Sequence, residues 1–254
     1  MCQLLGMNCN TPTDVAFSFA GFSQRGGRTD HHADGWGIAF FEDRGLRLFV
    51  DHESACDSPI ARLIRDYPIR SRNVIAHIRK ATQGQVTLQN CHPFMRELWG
   101  RYWVFAHNGD LKNFAPPLHG GFHPVGNTDS EYAFCWLMQE LAKSHADVPN
   151  IDELTLTLRE LVPRIARHGT FNFMLSNGQA LWTHASTKLF YTERRHPFAT
   201  AHLADEDLSI AFAEHTTPAD RVALVVTAPL TTDETWTPFA QGELRVFVDG
   251  RCVA

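Results

Sequence analysis

The sequence predicts an α+β protein, with sheets packed against helices, on three observations. Strand-like segments open and close the chain, and two longer helical stretches occupy its middle. Several of the strands alternate weakly between polar and apolar residues, as strands buried on both faces do. No internal repeat, low-complexity tract or long Gly/Ser/Pro linker interrupts the 254 residues, so one domain over residues 1–254 is expected.

Residues 35–41 (GWGIAFF) and 46–50 (LRLFV), joined through Asp43-Arg44-Gly45, read as a β-hairpin. Pro59 opens a short helix over residues 60–67. Residues 73–78 and 102–106 are apolar runs expected to be buried strands. A helix is expected from about residue 129 to 142, with Phe134, Leu137, Met138 and Leu141 on one face. Thr128 and Glu131 supply a T-x-x-E capping box at its start. A second helix, from about residue 151 to 167, carries Ile151, Leu154, Leu158, Leu161, Val162 and Ile165 on a stripe. Pro163 is expected to kink it or end its regular hydrogen bonding. After Gly169 the chain turns to strands. Residues 171–176 and 179–184 flank Asn177-Gly178, a strong hairpin signal. Residues 188–192, 222–227 and 244–248 follow as further strands.

A composition of 44% hydrophobic and 20% charged residues is that of a soluble globular protein. The formal net charge of −5 gives no electrostatic reason to expect nucleic acid or an anionic membrane as partner. No run of about 18 apolar residues predicts a transmembrane helix. The start, Met1-Cys2-Gln3-Leu4-Leu5-Gly6, lacks the basic and apolar regions of a signal peptide, so a cytoplasmic location is expected. Six cysteines without a CxxC pair suit reduced thiols. Among fourteen histidines, His31-His32 and the pair His119 and His123 fall in no cluster of recognisable ligand spacing. No metal and no cofactor is expected.

Cys2 becomes N-terminal if Met1 is removed, which puts a thiol and a free α-amine on one residue. An α-amine titrates near pH ~7.7–8.0, low enough to serve as a base at neutral pH. A nucleophile with a base beside it suits covalent acyl transfer. A cysteine at position 2 is equally a small buried residue. Arg79, in Ala76-His77-Ile78-Arg79-Lys80-Ala81-Thr82-Gln83-Gly84, stands where a strand runs into a polar loop. Its guanidinium fork suits a substrate carboxylate, or a structural ion pair. In Phe105-Ala106-His107-Asn108-Gly109-Asp110, the Asn108 amide and the Gly109 N–H can converge as an oxyanion hole. The same Asn-Gly also reads as a turn at a strand end. Asp129, in Gly126-Asn127-Thr128-Asp129-Ser130-Glu131, suits a substrate ammonium or the first turn of a helix.

The ordered set Cys2, then R-x-A-T-x-G, H-N-G and T-D-S-E, resembles the glutaminase domain of class II glutamine amidotransferases, which are N-terminal nucleophile (Ntn) hydrolases. Asp34-Gly35-Trp36-Gly37 and Asn90-Cys91-His92-Pro93 resemble family segments as well. In size and in its M-C-x-L-L-G start the chain is similar to the stand-alone, YafJ-type members, which carry no synthase domain. The resemblance implies a four-layer αββα sandwich. It implies Cys2 as nucleophile with its own α-amine as base, and Asn108 and Gly109 as oxyanion donors. Arg79 would bind the α-carboxylate of glutamine with Thr82 nearby, and Asp129 the α-ammonium. A γ-glutamyl thioester would form at Cys2, releasing ammonia and then glutamate. The small-molecule substrate is glutamine or a γ-glutamyl compound. Either the ammonia serves a separate synthase, or the protein is a free-standing γ-glutamyl hydrolase, or it is a regulatory module that binds glutamine without turnover. The chain departs from the synthases at Gln3-Leu4, Lys80 and Gln83, where they usually carry Gly-Ile, Trp and His. The stretch Gln24-Arg25-Gly26-Gly27-Arg28 lacks the context of a phosphate loop and reads as a mobile loop able to close over substrate.

Overall fold

The structure is a computed structural model and describes residues 2–81 and 85–254. The chain runs β1 (Gln3–Thr13), α1 (Ala16–Gln24), β2 (Trp36–Glu42), β3 (Gly45–Asp51), α2 (Pro59–Asp66), β4 (Ser71–Ile78), β5 (Phe94–Leu98) and β6 (Arg101–Leu111). The central helices are α3 (Asp129–Ser144) and α4 (Ile151–Ala166). Beyond them lie β7 (Gly169–Ser176), β8 (Leu181–Ala185), β9 (Phe190–Arg195), β10 (Thr200–His202) and β11 (Ser209–Ala211). The last strands are β12 (Arg221–Val226), β13 (Thr237–Pro238), β14 (Glu243–Val248) and β15 (Arg251–Cys252).

Two antiparallel sheets dominate. One has the order β13-β9-β12-β1-β4-β2-β3 and the other β15-β14-β8-β7-β6-β5. Side chains alternate faces along a strand, and each central strand feeds two cores. Leu5, Ile38, Phe40, Val74, Ala76 and Leu224 face α1 and α2. Leu4, Ala39, Ile75, Ala223 and Val225 face the second sheet, meeting Val104, Ala106, Met174 and Leu181. On the far side of that sheet Trp103, Phe105, Phe171 and Phe173 pack on α3 and α4. Three apolar layers between four layers of structure make an αββα sandwich. Full burial of one such Leu or Phe contributes about 1.5–3 kcal/mol. At Gly6 the sheets leave no room for a side chain: a Cβ would lie 2.8 Å from Leu181 Cδ2 and 2.9 Å from Met174 Sδ.

Most elements stand where the sequence puts them, and the departures are physical. Helix α1 carries no sequence signal because every residue from Ser18 to Gln24 is buried, which leaves no amphipathic stripe. Strand β6 runs on to Leu111, so Asn108-Gly109 lies within a strand, opposite Asn172 and Phe171 of β7, and is not a turn. The Thr128 hydroxyl caps α3 by accepting the Glu131 N–H, but Glu131 does not reach back. Its carboxylate instead accepts from Arg96 and from the Val125 and Gly126 N–H groups. The reciprocal capping box occurs at α4, between Asn150 and Glu153. Pro163 neither ends nor interrupts α4, which continues to Ala166. The bond it forfeits is to the carbonyl of Arg159, on the exposed side of the helix, while Leu161, Val162 and Ile165 stay in the core. The Gln24–Arg28 stretch is pinned down. The buried Arg25 guanidinium donates to Asp205 and to the carbonyls of Ala228 and Pro229.

Candidate active site

The same alternation that builds the cores assembles the site. Leu4 on β1, Ile75 on β4, Ala106 on β6, Met174 on β7 and Val225 on β12 all point between the sheets. Two residues along each strand lie Cys2, His77 and then Arg79, Asn108, Asn172 and Thr227. A polar cluster therefore lies at one end of the slot between the sheets.

Cys2 is half-buried, and its sulfur lies between the main-chain groups of Lys80. The Lys80 N–H donates to Sγ at 3.2 Å, and the thiol reaches the Lys80 carbonyl at 3.4 Å. Burial pushes the Cys2 thiol up, the Lys80 N–H and the Arg79 charge pull it down, and Asp129 pushes it up again. Asn108 Nδ2 donates to the Cys2 carbonyl at 2.7 Å, with Thr227 Oγ1 at 3.4 Å. The Asn108 Oδ1 atom is buried and has no hydrogen-bond partner among the described residues. Thr227 Oγ1 also accepts the Leu4 N–H at 3.0 Å, tying the start of β1 to β12.

Asn108 is held from behind by Asn172, whose Nδ2 donates to the Asn108 carbonyl at 3.0 Å and to Thr187 Oγ1 at 2.9 Å. Gly109 faces Phe171. The Phe171 N–H is turned to Ser186 Oγ, so this is a pair whose N–H groups point away from each other's strand, and the Gly109 N–H faces away from β7. A side chain on Gly109 would collide with the Thr170 carbonyl oxygen. Arg79 is buried, with Nη1 donating to the Gln85 carbonyl at 3.0 Å. Asp129 sits in the first turn of α3, where the helix dipole favours a carboxylate, and accepts the Leu111 N–H at 2.7 Å. Thr82 lies outside the described residues.

Behind Asn108, the His107 ring bridges two elements. Nε2 meets the Thr170 carbonyl at 3.0 Å and Nδ1 meets Ser130 Oγ at 2.8 Å. A carbonyl only accepts, so Nε2 carries the proton and Nδ1 receives the Ser130 hydroxyl. Burial holds the ring below its ordinary pKa, against the pull of Asp129. Among the described residues no group of three or more His, Cys, Asp or Glu side chains could hold a metal ion. No helix is long and apolar enough to cross a membrane.

Sequence reading brings Cys2, Arg79, Asn108, Gly109 and Asp129 to this end of the molecule, and misses Thr227 and Asn172. Asn172 did carry a signal, as the one amide in the apolar run Phe171-Asn172-Phe173-Met174-Leu175.

A four-layer αββα sandwich is the architecture of the Ntn-type fold. The chain belongs to the class II glutamine amidotransferase family, which it matches over residues 1–254. A Haemophilus influenzae protein, given by inference as a glutamine amidotransferase, is 50% identical over all of this chain and 86% of its own length. YafJ of Escherichia coli K12, given as the same by inference, is 48% identical over the full length of both. A crystal structure of a predicted glutamine amidotransferase from Pseudomonas aeruginosa superposes with a TM-score of 0.79 at 42% identity, covering both chains completely. Glutamine phosphoribosylpyrophosphate amidotransferase of B. subtilis shares the fold, with a TM-score of 0.60 at 12% identity over 99% of this chain and 48% of its own.

Proposed function

We propose that the protein hydrolyses the γ-amide of glutamine through Cys2, as a single glutaminase-type domain acting in the cytoplasm. The observation that carries this reading is the joint placement of Cys2 Sγ against the Lys80 N–H and of Asn108 Nδ2 on the Cys2 main chain. Removal of Met1 frees the Cys2 α-amine, which takes the thiol proton as Sγ bonds to the amide carbon. The carbonyl π electrons move to oxygen, and that oxyanion is met by the Gly109 N–H and by the second Asn108 Nδ2 hydrogen, which exchanges its 3.4 Å contact with Thr227 Oγ1 for the oxyanion. One such donor is worth about 10²–10³ in rate. The tetrahedral centre collapses, the C–N bond breaks, and the α-ammonium returns its proton to the leaving nitrogen as ammonia departs. Water, deprotonated by the same amine, then attacks the γ-glutamyl thioester. The C–S bond breaks and glutamate leaves.

Arg79, together with Thr82, receives the α-carboxylate, and Asp129 the α-ammonium. Each charge-assisted contact contributes roughly 1.5–3 kcal/mol. The ammonia either enters water or passes to a separate synthase. The test is glutamate release from glutamine by the purified protein and by Cys2→Ala. Release that disappears in Cys2→Ala with an unchanged melting curve supports the reading, and release that persists in a pure preparation of the variant overturns it.

A further inference from the structure

We propose that Asp34 is a positioning residue for the Cys2 thiol: by holding the segment after β4 it aims the Lys80 N–H at Sγ, without touching substrate. The inference rests on Cys2 being the nucleophile.

Strands β2 and β4 end at Trp36 and Ile78, yet their chains stay bonded beyond that point. The Asp34 N–H donates to the Arg79 carbonyl at 3.3 Å, and the Arg79 N–H to the Gly35 carbonyl at 2.8 Å. Two residues on, the Ala81 N–H donates to the Asp34 side chain, at 2.8 Å from Oδ2. In an extended segment successive N–H groups point to opposite sides. The Arg79 and Ala81 N–H groups point towards 34–35, so the Lys80 N–H between them points the other way, to Cys2 Sγ at 3.2 Å. Lys80 is exposed and gains no orientation from packing. Among the described residues, the Asp34 carboxylate ties down the outer end of this segment.

The consequence falls on the thiolate. Sγ meets both main-chain groups of Lys80: the carbonyl accepts from the thiol, and the N–H donates to the thiolate. An N–H held in place favours the deprotonated form. The charged groups felt at the sulfur are the amino terminus of the chain, Arg79 on the same segment and Asp129 at the head of α3, and Asp34 is not among them. Asp34 therefore acts through its hydrogen bond, and an uncharged acceptor of the same shape should replace it.

The experiment compares Asp34→Ala, Asp34→Asn and wild type. The readouts are the pH dependence of Cys2 alkylation by iodoacetamide, followed by mass of the Cys2 peptide, glutamate release and the melting temperature. In Asp34→Ala the alkylation midpoint is expected to rise by about one pH unit, a roughly tenfold slower reaction at pH 7. Asp34→Asn, whose amide oxygen accepts the Ala81 N–H, is expected to keep the wild-type midpoint. Should the alanine variant not fold, Asp34→Ser replaces it, since its hydroxyl is too short to reach the Ala81 N–H. A midpoint unmoved in Asp34→Ala or Asp34→Ser, or one that moves equally in Asp34→Asn, overturns the inference. Wild-type protein that alkylates as described but releases no glutamate overturns the functional reading and leaves the alkylation comparison to decide on Asp34.

Discussion

Asn108 is fixed at both ends, its carbonyl by Asn172 Nδ2 and its side-chain amide by the Cys2 carbonyl. On the proposed reading, in which Asn108 serves the transition state, Asn108→Ala is expected to lower kcat by about 10²–10³ and to change KM for glutamine by no more than a few-fold. Steady-state glutamate release checks this, and a loss confined to KM would contradict it. Cys2, Arg79, Asn108, Gly109 and Asp129 can be nominated as candidates from sequence because each sits in a short motif and the motifs follow one order. Thr227 and Asn172 cannot. Their partners lie 119 and 64 residues away, and only strand pairing brings them together. A polar residue on the inner face of a strand cannot be told from a surface one until its register is known.

Strand β6 and helix α3 are the elements that carry the site, and both differ from their sequence reading for reasons of tertiary contact. Asn108-Gly109 suggested a turn, but eight residues of β7 pair along β6 and keep it extended through both. At α3, the Thr128 half of the capping box forms, while the buried Glu131 turns to Arg96 at 2.6 Å and to two loop N–H groups. Thr128→Ala should therefore cost about 1 kcal/mol. Glu131→Ala, which strands Arg96 and those N–H groups, should cost about 3 kcal/mol. Urea unfolding measures both, and equal costs would mean that Glu131 is only a helix-start residue. Local sequence could not show this difference, since the decisive partner, Arg96, is 35 residues away.

At the scale of the whole molecule, the slot between the sheets buries imidazoles as well as aliphatic side chains. His77 and His92 are buried and stack with ring centroids 4.2 Å apart. Burial, with the nearby His107 and Arg79, pushes His77 down to about 3, and burial beside His77 holds His92 well below its ordinary range. Below pH ~6.5 the unfolded chain takes up protons that the fold refuses, so stability is full above that pH and falls on acidification towards 3. Each histidine contributes a slope of up to about 1.4 kcal/mol per pH unit across that window. Urea midpoints between pH 7.5 and 4 should fall accordingly, and less steeply in His92→Asn. A midpoint independent of pH would contradict the buried neutral pair. The α+β class was legible from element order, because helices and strands differ in period. The four layers were legible only through the family resemblance, because weak alternation says that a strand is covered twice and not by what.

The most direct test of the central claim is the intact mass of the purified protein before and after treatment with a glutamine-mimicking diazoketone. The expected result is a chain lacking Met1 that gains one stoichiometric adduct, mapped by peptide mass to Cys2. A chain that keeps Met1 and gains no adduct, or an adduct on any other cysteine, would contradict it.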